Sequence, residues 1–142
     1  MKKHFAAGRH RSQVASKRSG AAAAEFAVCL PLLMILLIGT IEACSMIYLK
    51  QTLSVAAYEG IRAAVTTSGD TAKVNTAADR ILTARNVSGA VVTISPVNFE
   101  SMPPETWITV TVSAPGSSNS VVRGWFYDNQ QIAARATMMK EF

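Results

Sequence analysis

Apolar residues follow one another almost without interruption through the early part of the chain. From Phe26 to Ile41 there are 16 residues without a formal charge, and the apolar character continues to Leu49. With the alanines at 21–24, this stretch reaches the roughly 20 residues that a helix needs to cross a bilayer. The pattern predicts one helix that begins at the alanine run and ends near residue 67, its first half in lipid and its second half against a soluble domain. The residues at helical spacing on the face of that second half are Leu49, Leu53, Ala56, Gly60 and Ala64.

After this helix the spacing of the apolar residues changes twice. A second helix is predicted over residues 71–85, and strict alternation predicts strands over residues 90–95 and 107–113. Residues 132–139 also alternate and are predicted as a strand, although their alanines and methionines are compatible with a helix. The fold class is therefore α+β, with a long helix, a short helix and about three antiparallel strands that cover the exposed half of the long helix. The composition between these elements predicts two loops, residues 96–104 and 114–120.

The excess of positive charge in the chain is confined to its beginning. The sequence has a formal net charge of +5, but residues 1–20 alone carry six Lys and Arg residues and no acid. The remaining 122 residues carry eight basic and nine acidic residues. A nucleic-acid-binding domain would place its Lys and Arg on the folded surface, interleaved with aromatic residues. We therefore predict no nucleic-acid partner.

The same basic residues predict the orientation of the apolar segment. Six of them precede it and only Lys50 follows it closely, which favours an amino end in the cytoplasm. A secretory signal peptide would have a shorter apolar region, about 7–15 residues, that ends at a small-x-small cleavage site. Ile41-Glu42-Ala43-Cys44 resembles a lipoprotein processing box only faintly, because Glu42 breaks the apolar run. We predict a single membrane-spanning helix.

The predicted folded part lacks most of the side chains that catalysis uses. Both histidines, His4 and His10, precede Gly20, and this removes Ser-His and Cys-His pairs and histidine-based metal sites. The glycines are scattered singly, so no phosphate-binding loop is present. Cys29 and Cys44 are about 22 Å apart along one helix, too far for an intramolecular disulfide. We predict no catalytic residue, no metal and no cofactor.

Two carboxylates flank the apolar segment. A charged residue near the centre of a bilayer costs at least about 2.5–3.5 kcal/mol. Glu25 and Glu42 are about 25 Å apart along a helix, so they can mark the two edges of a roughly 30 Å hydrocarbon layer. For Glu42 we expect a solvated position at the interface. Glu25 lies one helical turn from Ala21, so cleavage before Ala21 would create an amine that pairs with it, and such pairing between subunits would set their axial register.

The residues around Glu25 resemble a known family. The run Gly20-Ala21-Ala22-Ala23-Ala24-Glu25-Phe26 is similar to the processing site of prepilins. Together with Pro31-Leu32-Leu33 and the run to Ile41-Glu42, it resembles TadE-like proteins, which are pseudopilins of tight-adherence (Tad/Flp) pilus systems. Residues 56–64 are similar to the Glu-Gly-x-Arg stretch of that family, and residues 136–141 to its closing strand.

In the Glu-Gly-x-Arg stretch we expect Glu59 and Arg62 to pair on the helix surface, and Gly60 to allow close packing. The segment 117–129 contains Trp125, Phe126 and Tyr127. We expect these aromatic residues to return to the core, with a docking surface as the alternative.

The resemblance implies a pilin-like fold and a route of maturation. A prepilin peptidase would cut between Gly20 and Ala21 on the cytoplasmic side, with Glu25 and Phe26 as recognition and assembly residues. The chain would consist of a cleavable leader (1–20), a transmembrane helix (21–49) and an extracytoplasmic pilin-like domain (50–142). It would lie in the bacterial inner membrane as a single-pass protein.

The resemblance also implies partners and a function. Beyond the peptidase and membrane lipid, these would be other pilins or pseudopilins, met through the amino-terminal helix, and the inner-membrane Tad secretion platform. Major Flp pilins lack a soluble domain, so the chain would be a minor component that joins or primes a pilus for adhesion and biofilm formation. The alternatives are an uncleaved membrane-anchored binding module on the extracytoplasmic side and a small membrane-tethered enzyme.

Overall fold

A long helix, a short helix and a three-stranded antiparallel sheet form the fold of the described residues, which confirms the α+β class. The computed structural model describes residues 12–66, 68–122, 127 and 129–141, with side chains from Gly20 onward. The elements in chain order are α1 (Ser12–Ala64), α2 (Thr71–Ala84), β1 (Val91–Ser95), a 3₁₀ turn (Phe99–Ser101), β2 (Trp107–Pro115), the one-turn helix α3 (Gly116–Asn119) and β3 (Gln131–Met139).

The long helix begins earlier than its apolar pattern predicts. It starts at Ser12 rather than at the alanine run, because residues 12–19 contain no Pro or Gly and half of them are good helix formers. It continues through Pro31 without a break. The chain divides into two units, residues 1–39 and 40–142. In the first unit every described residue from Gly20 to Leu37 is exposed, whereas the second unit has a hydrophobic core.

The second unit packs α1, α2 and the sheet around that core. The predicted face of α1 is confirmed, since all five of its residues are buried. Gly60 is a point of close approach between the elements: a Cβ there would lie 3.3 Å from a methyl group of Val110 and 3.4 Å from one of Val74. The expectation that Gly60 allows close packing is therefore confirmed.

Capping interactions fix both ends of α2. At its start the Asp70 carboxylate accepts a hydrogen bond from the Lys73 amide at 2.7 Å, as a helix N-cap does. At its end Asn86 has a φ of +53°, and the Asn86 amide donates to the Thr83 carbonyl. The Val87 amide donates to the carbonyl of Leu82. These two bonds form a Schellman motif, so the helix ends where its sequence predicts.

The sheet has the order β1-β2-β3, and all three predicted strands are confirmed. In the central strand β2 the alternating residues Ile108, Val110, Val112 and Ala114 are fully buried. Val110 lies opposite Ile94 of β1 and Ala136 of β3. The alternation in the sequence therefore predicts both the strands and the face that meets the helices.

The loop predicted at 96–104 contributes a residue to the core, which its proline-rich composition did not indicate. Phe99 is fully buried in the 3₁₀ turn. The Lys140 ammonium donates to the carbonyl oxygens of Phe99, Glu100 and Met102 at 3.2, 3.1 and 2.8 Å, and so ties this turn to the end of β3.

Two other expectations concern charged and aromatic side chains. Within the described part of the chain, the one ion pair found joins Lys73 to Asp70, so the expected pairing of Glu59 with Arg62 is wrong. Tyr127 is half-buried against the core, as expected, whereas Trp125 and Phe126 lie outside the described residues.

Candidate functional site

The predicted processing and assembly residues lie on the first unit of α1. Gly20, Ala21, Glu25 and Phe26 are all exposed, and a Cβ at Gly20 would meet no atom within 4 Å. Both residues that flank the predicted cleavage site are therefore exposed. From Gly20 onward α1 is long and apolar enough to cross a membrane, and none of its most apolar window is buried within the protein.

Glu42 contradicts its sequence-based expectation. Rather than lying solvated at an interface, it is 1% exposed. One carboxylate oxygen, Oε1, accepts a hydrogen bond from the Ser120 hydroxyl at 2.5 Å. The other, Oε2, accepts from the amides of Val121 and Val122, both at 3.2 Å. The folded domain, not water, supplies the hydrogen bonds that this carboxylate needs.

The phase of α1 explains why Glu42 is buried. Glu42 is followed at intervals of four, three and four residues by Met46, Leu49 and Leu53, all of which are buried. These intervals place the carboxylate on the core face of the helix. The helical phase was available in the sequence and would have found this position. The three donors lie at 120–122, far along the chain, and had no local signal.

A groove lies beside Glu42 on the same helix, and we call it the Tyr48–Arg85 groove. It is bounded by α1 between Thr40 and Leu49 and by two loops, residues 85–87 and 118–120, and its volume is about 620 Å³. The Arg85 guanidinium lies over the Tyr48 ring, 5.7 Å from its centroid, within the range of a cation–π contact. Arg85 Nη1 also donates to Thr52 Oγ1 at 3.4 Å.

Metal-binding clusters and reactive cysteines are two further kinds of site that the described part of the chain could provide. Within that part of the chain, no group of three or more His, Cys, Asp and Glu side chains is placed to hold a metal ion. Cys29 and Cys44 are both free and exposed on α1. The features that remain for function are the exposed amino-terminal part of α1, the Glu42 hydrogen bonds and the Tyr48–Arg85 groove.

A comparison with protein families finds one match, and it lies in the amino-terminal part of the chain. Residues 20–62 match the family model described as TadE-like protein. Over these 43 of the 142 residues the chain is similar to TadE-like proteins, and we call them the TadE-like segment. The TadE-like segment begins at the glycine of the predicted processing site and contains Glu25, Glu42 and Gly60. It ends before the sheet, and neither a curated protein nor a solved structure matches the chain.

The match indicates a general role. TadE-like proteins are associated with the Tad pilus system and are in general not enzymes. The apolar helix within the TadE-like segment agrees with a membrane-anchored, pilin-like protein.

Proposed function

We propose that the chain is a minor pseudopilin of a Tad/Flp pilus system, made as a precursor that a prepilin peptidase cuts between Gly20 and Ala21. The TadE-like match carries this proposal, because it begins at Gly20 and continues along the whole exposed apolar part of α1. The role is structural rather than catalytic. The mature protein joins or primes the filament together with other pilins or pseudopilins and the Tad secretion platform.

The proposed location is the bacterial inner membrane. The six basic residues before Gly20 hold the amino end in the cytoplasm. The exposed apolar surface from residue 20 to residue 37 contacts lipid before assembly and neighbouring helices after it. The second unit then lies on the extracytoplasmic side.

Glu25 has the most specific role in this proposal. It is the only acid between Gly20 and Ile41, and it lies one turn, about 6 Å, along the helix from Ala21. Cleavage at Gly20 gives Ala21 a positive amine, which the Glu25 of the same or a neighbouring subunit neutralises. Leaving either charge unpaired in a dry helix bundle costs on the order of 3–5 kcal/mol, so subunits shifted out of register are disfavoured.

The test is piliation of a strain that lacks the gene and carries it on a plasmid. We expect the wild-type chain to restore pili and Glu25→Ala to leave the cells bald, although the variant reaches the membrane at normal levels. Glu25→Asp keeps the charge and should restore part of the piliation. Normal pili in the deletion strain would contradict the assembly role. Normal pili with Glu25→Ala would contradict only the pairing with the new amine.

A further inference from the structure

The Tyr48–Arg85 groove begins where the uncharged stretch 26–41 ends and where the second unit of the chain starts. Tyr48 is about 10 Å beyond Ile41 along α1. A bilayer is about 40–45 Å thick with its headgroups and about 30 Å without them, so each headgroup layer is about 5–7.5 Å deep. We place the edge of the hydrocarbon layer at Ile41, the last residue of the uncharged stretch. Helical side chains point back towards the amino end, so the Tyr48 ring lies closer to this layer than its backbone does. Tyrosine is also enriched at this depth.

Arg85 gives the groove an uncompensated positive charge. It is exposed, and among the described residues no carboxylate lies within ion-pair distance of it. None of the residues that line the groove is acidic. Glu42 lies close by in the sequence of α1, but it is buried and its oxygens accept hydrogen bonds from residues 120–122. The Tyr48 ring orients the guanidinium without neutralising it.

The chemistry of the groove fits one class of ligand. A guanidinium binds phosphate oxygens through parallel N–H donors. The side chains of Ile41 and Cys44 line the end of the groove that is nearest to the amino end of α1 and offer a mainly apolar wall. A phosphate that must sit beside an apolar segment at this depth is the phosphate of a membrane lipid.

We propose that the Tyr48–Arg85 groove binds the headgroup of an anionic phospholipid, with its phosphate on Arg85 and its glycerol end against Ile41 and Cys44. This proposal rests on one part of the proposed function, the anchoring of α1 in the membrane. Binding holds the folded domain at the membrane surface until the subunit leaves for the filament.

The experiment uses the full chain in phosphatidylcholine nanodiscs and measures the relative association of spin-labelled phosphatidylglycerol and phosphatidylcholine by electron paramagnetic resonance. The wild-type chain should prefer phosphatidylglycerol. Arg85→Gln should lose about fivefold of that preference, which corresponds to about 1 kcal/mol per basic residue near an anionic surface. Arg85→Lys should retain part of the preference, because it keeps the charge but not the paired donors.

Arg80→Gln is the matched control, since Arg80 is an exposed arginine on α2 outside the groove. Equal losses for Arg80→Gln and Arg85→Gln would overturn the proposal in favour of general surface charge. So would an Arg85→Gln variant with the wild-type preference, or displacement of the lipid by soluble glycerol phosphate at equal concentration. A chain that enters the nanodisc without any lipid preference contradicts this proposal alone. A chain that does not enter it contradicts the membrane anchor as well.

Discussion

Replacement of Glu42 tests how the folded domain is joined to α1. Glu42→Ala leaves the amides of Val121 and Val122 without their carboxylate acceptor, whereas the Ser120 hydroxyl keeps the Val122 carbonyl, 2.9 Å away. An unsatisfied buried donor costs about 1–3 kcal/mol. Both amides are only partly buried, so we take the low end for each and expect a loss of about 2 kcal/mol.

Glu42→Gln should lower the free energy of unfolding far less than Glu42→Ala does, because the glutamine amide supplies protons for the same hydrogen bonds. The Ser120 hydroxyl has one proton but two acceptors, Glu42 Oε1 and the Val122 carbonyl. A glutamine amide can donate to Ser120 Oγ while its own oxygen accepts from the amides of Val121 and Val122. All these groups are then satisfied, so we expect a change below about 1 kcal/mol.

The assay is amide hydrogen exchange of the full chain in detergent micelles, read at Val121 and Val122. A loss of about 2 kcal/mol should speed their exchange roughly 30-fold in Glu42→Ala. Glu59→Ala, which removes another carboxylate from α1, is the control and should leave both amides unchanged. Unchanged exchange in Glu42→Ala would refute the hydrogen bonds as a stabilising contact. Exchange in Glu42→Gln as fast as in Glu42→Ala would refute the proton count.

Substitutions at three further positions test the packing of the second unit, each by thermal unfolding of the full chain in detergent. Gly60→Val should cost about 1–3 kcal/mol, because it forces methyl groups against Val110. Gly60→Ala should be nearly neutral, because its better helix propensity offsets the tight contact. Equal effects of the two variants would contradict the close approach. Lys140→Met removes the ammonium that donates to three carbonyl oxygens of the turn at 99–102 and should cost about 2–4 kcal/mol. Faster proteolysis in that turn is the second measurement. Asp70→Ala removes the N-cap of α2 and should cost about 1 kcal/mol, so an unchanged melting temperature would show that the cap is dispensable.

The local elements were predictable because their signals are local. The strict alternation in β2 predicts its buried residues, and Asp70 and Asn86 mark the ends of α2 by well-known capping preferences. Phe99 was missed because the apolar residues between Pro96 and Pro103, at positions 97, 99 and 102, follow neither a helical nor a strand period. The start of α1 was placed too late because the apolar pattern was read and the helix propensity of residues 12–19 was not.

The candidate site was only partly predictable. Glu42 was predicted to lie at the bilayer edge from its distance to Glu25. Its helical phase with Met46 and Leu49 instead places it on the core face. Its donors at 120–122 and the contact of Tyr48 with Arg85 join residues far apart in the sequence, and no spacing rule predicts such pairs. Gly20 and Glu25 follow from a short motif alone, and their roles stay predictions.

Amino-terminal sequencing of the full chain, extracted from membranes after expression with and without a prepilin peptidase, tests the central claim most directly. The account predicts that the protein begins at Ala21 only when the peptidase is present. Replacing Gly20 with leucine should prevent this processing and leave the protein at its precursor length. An intact leader on the wild-type chain in the presence of an active peptidase would contradict the proposal that the chain matures as a pseudopilin.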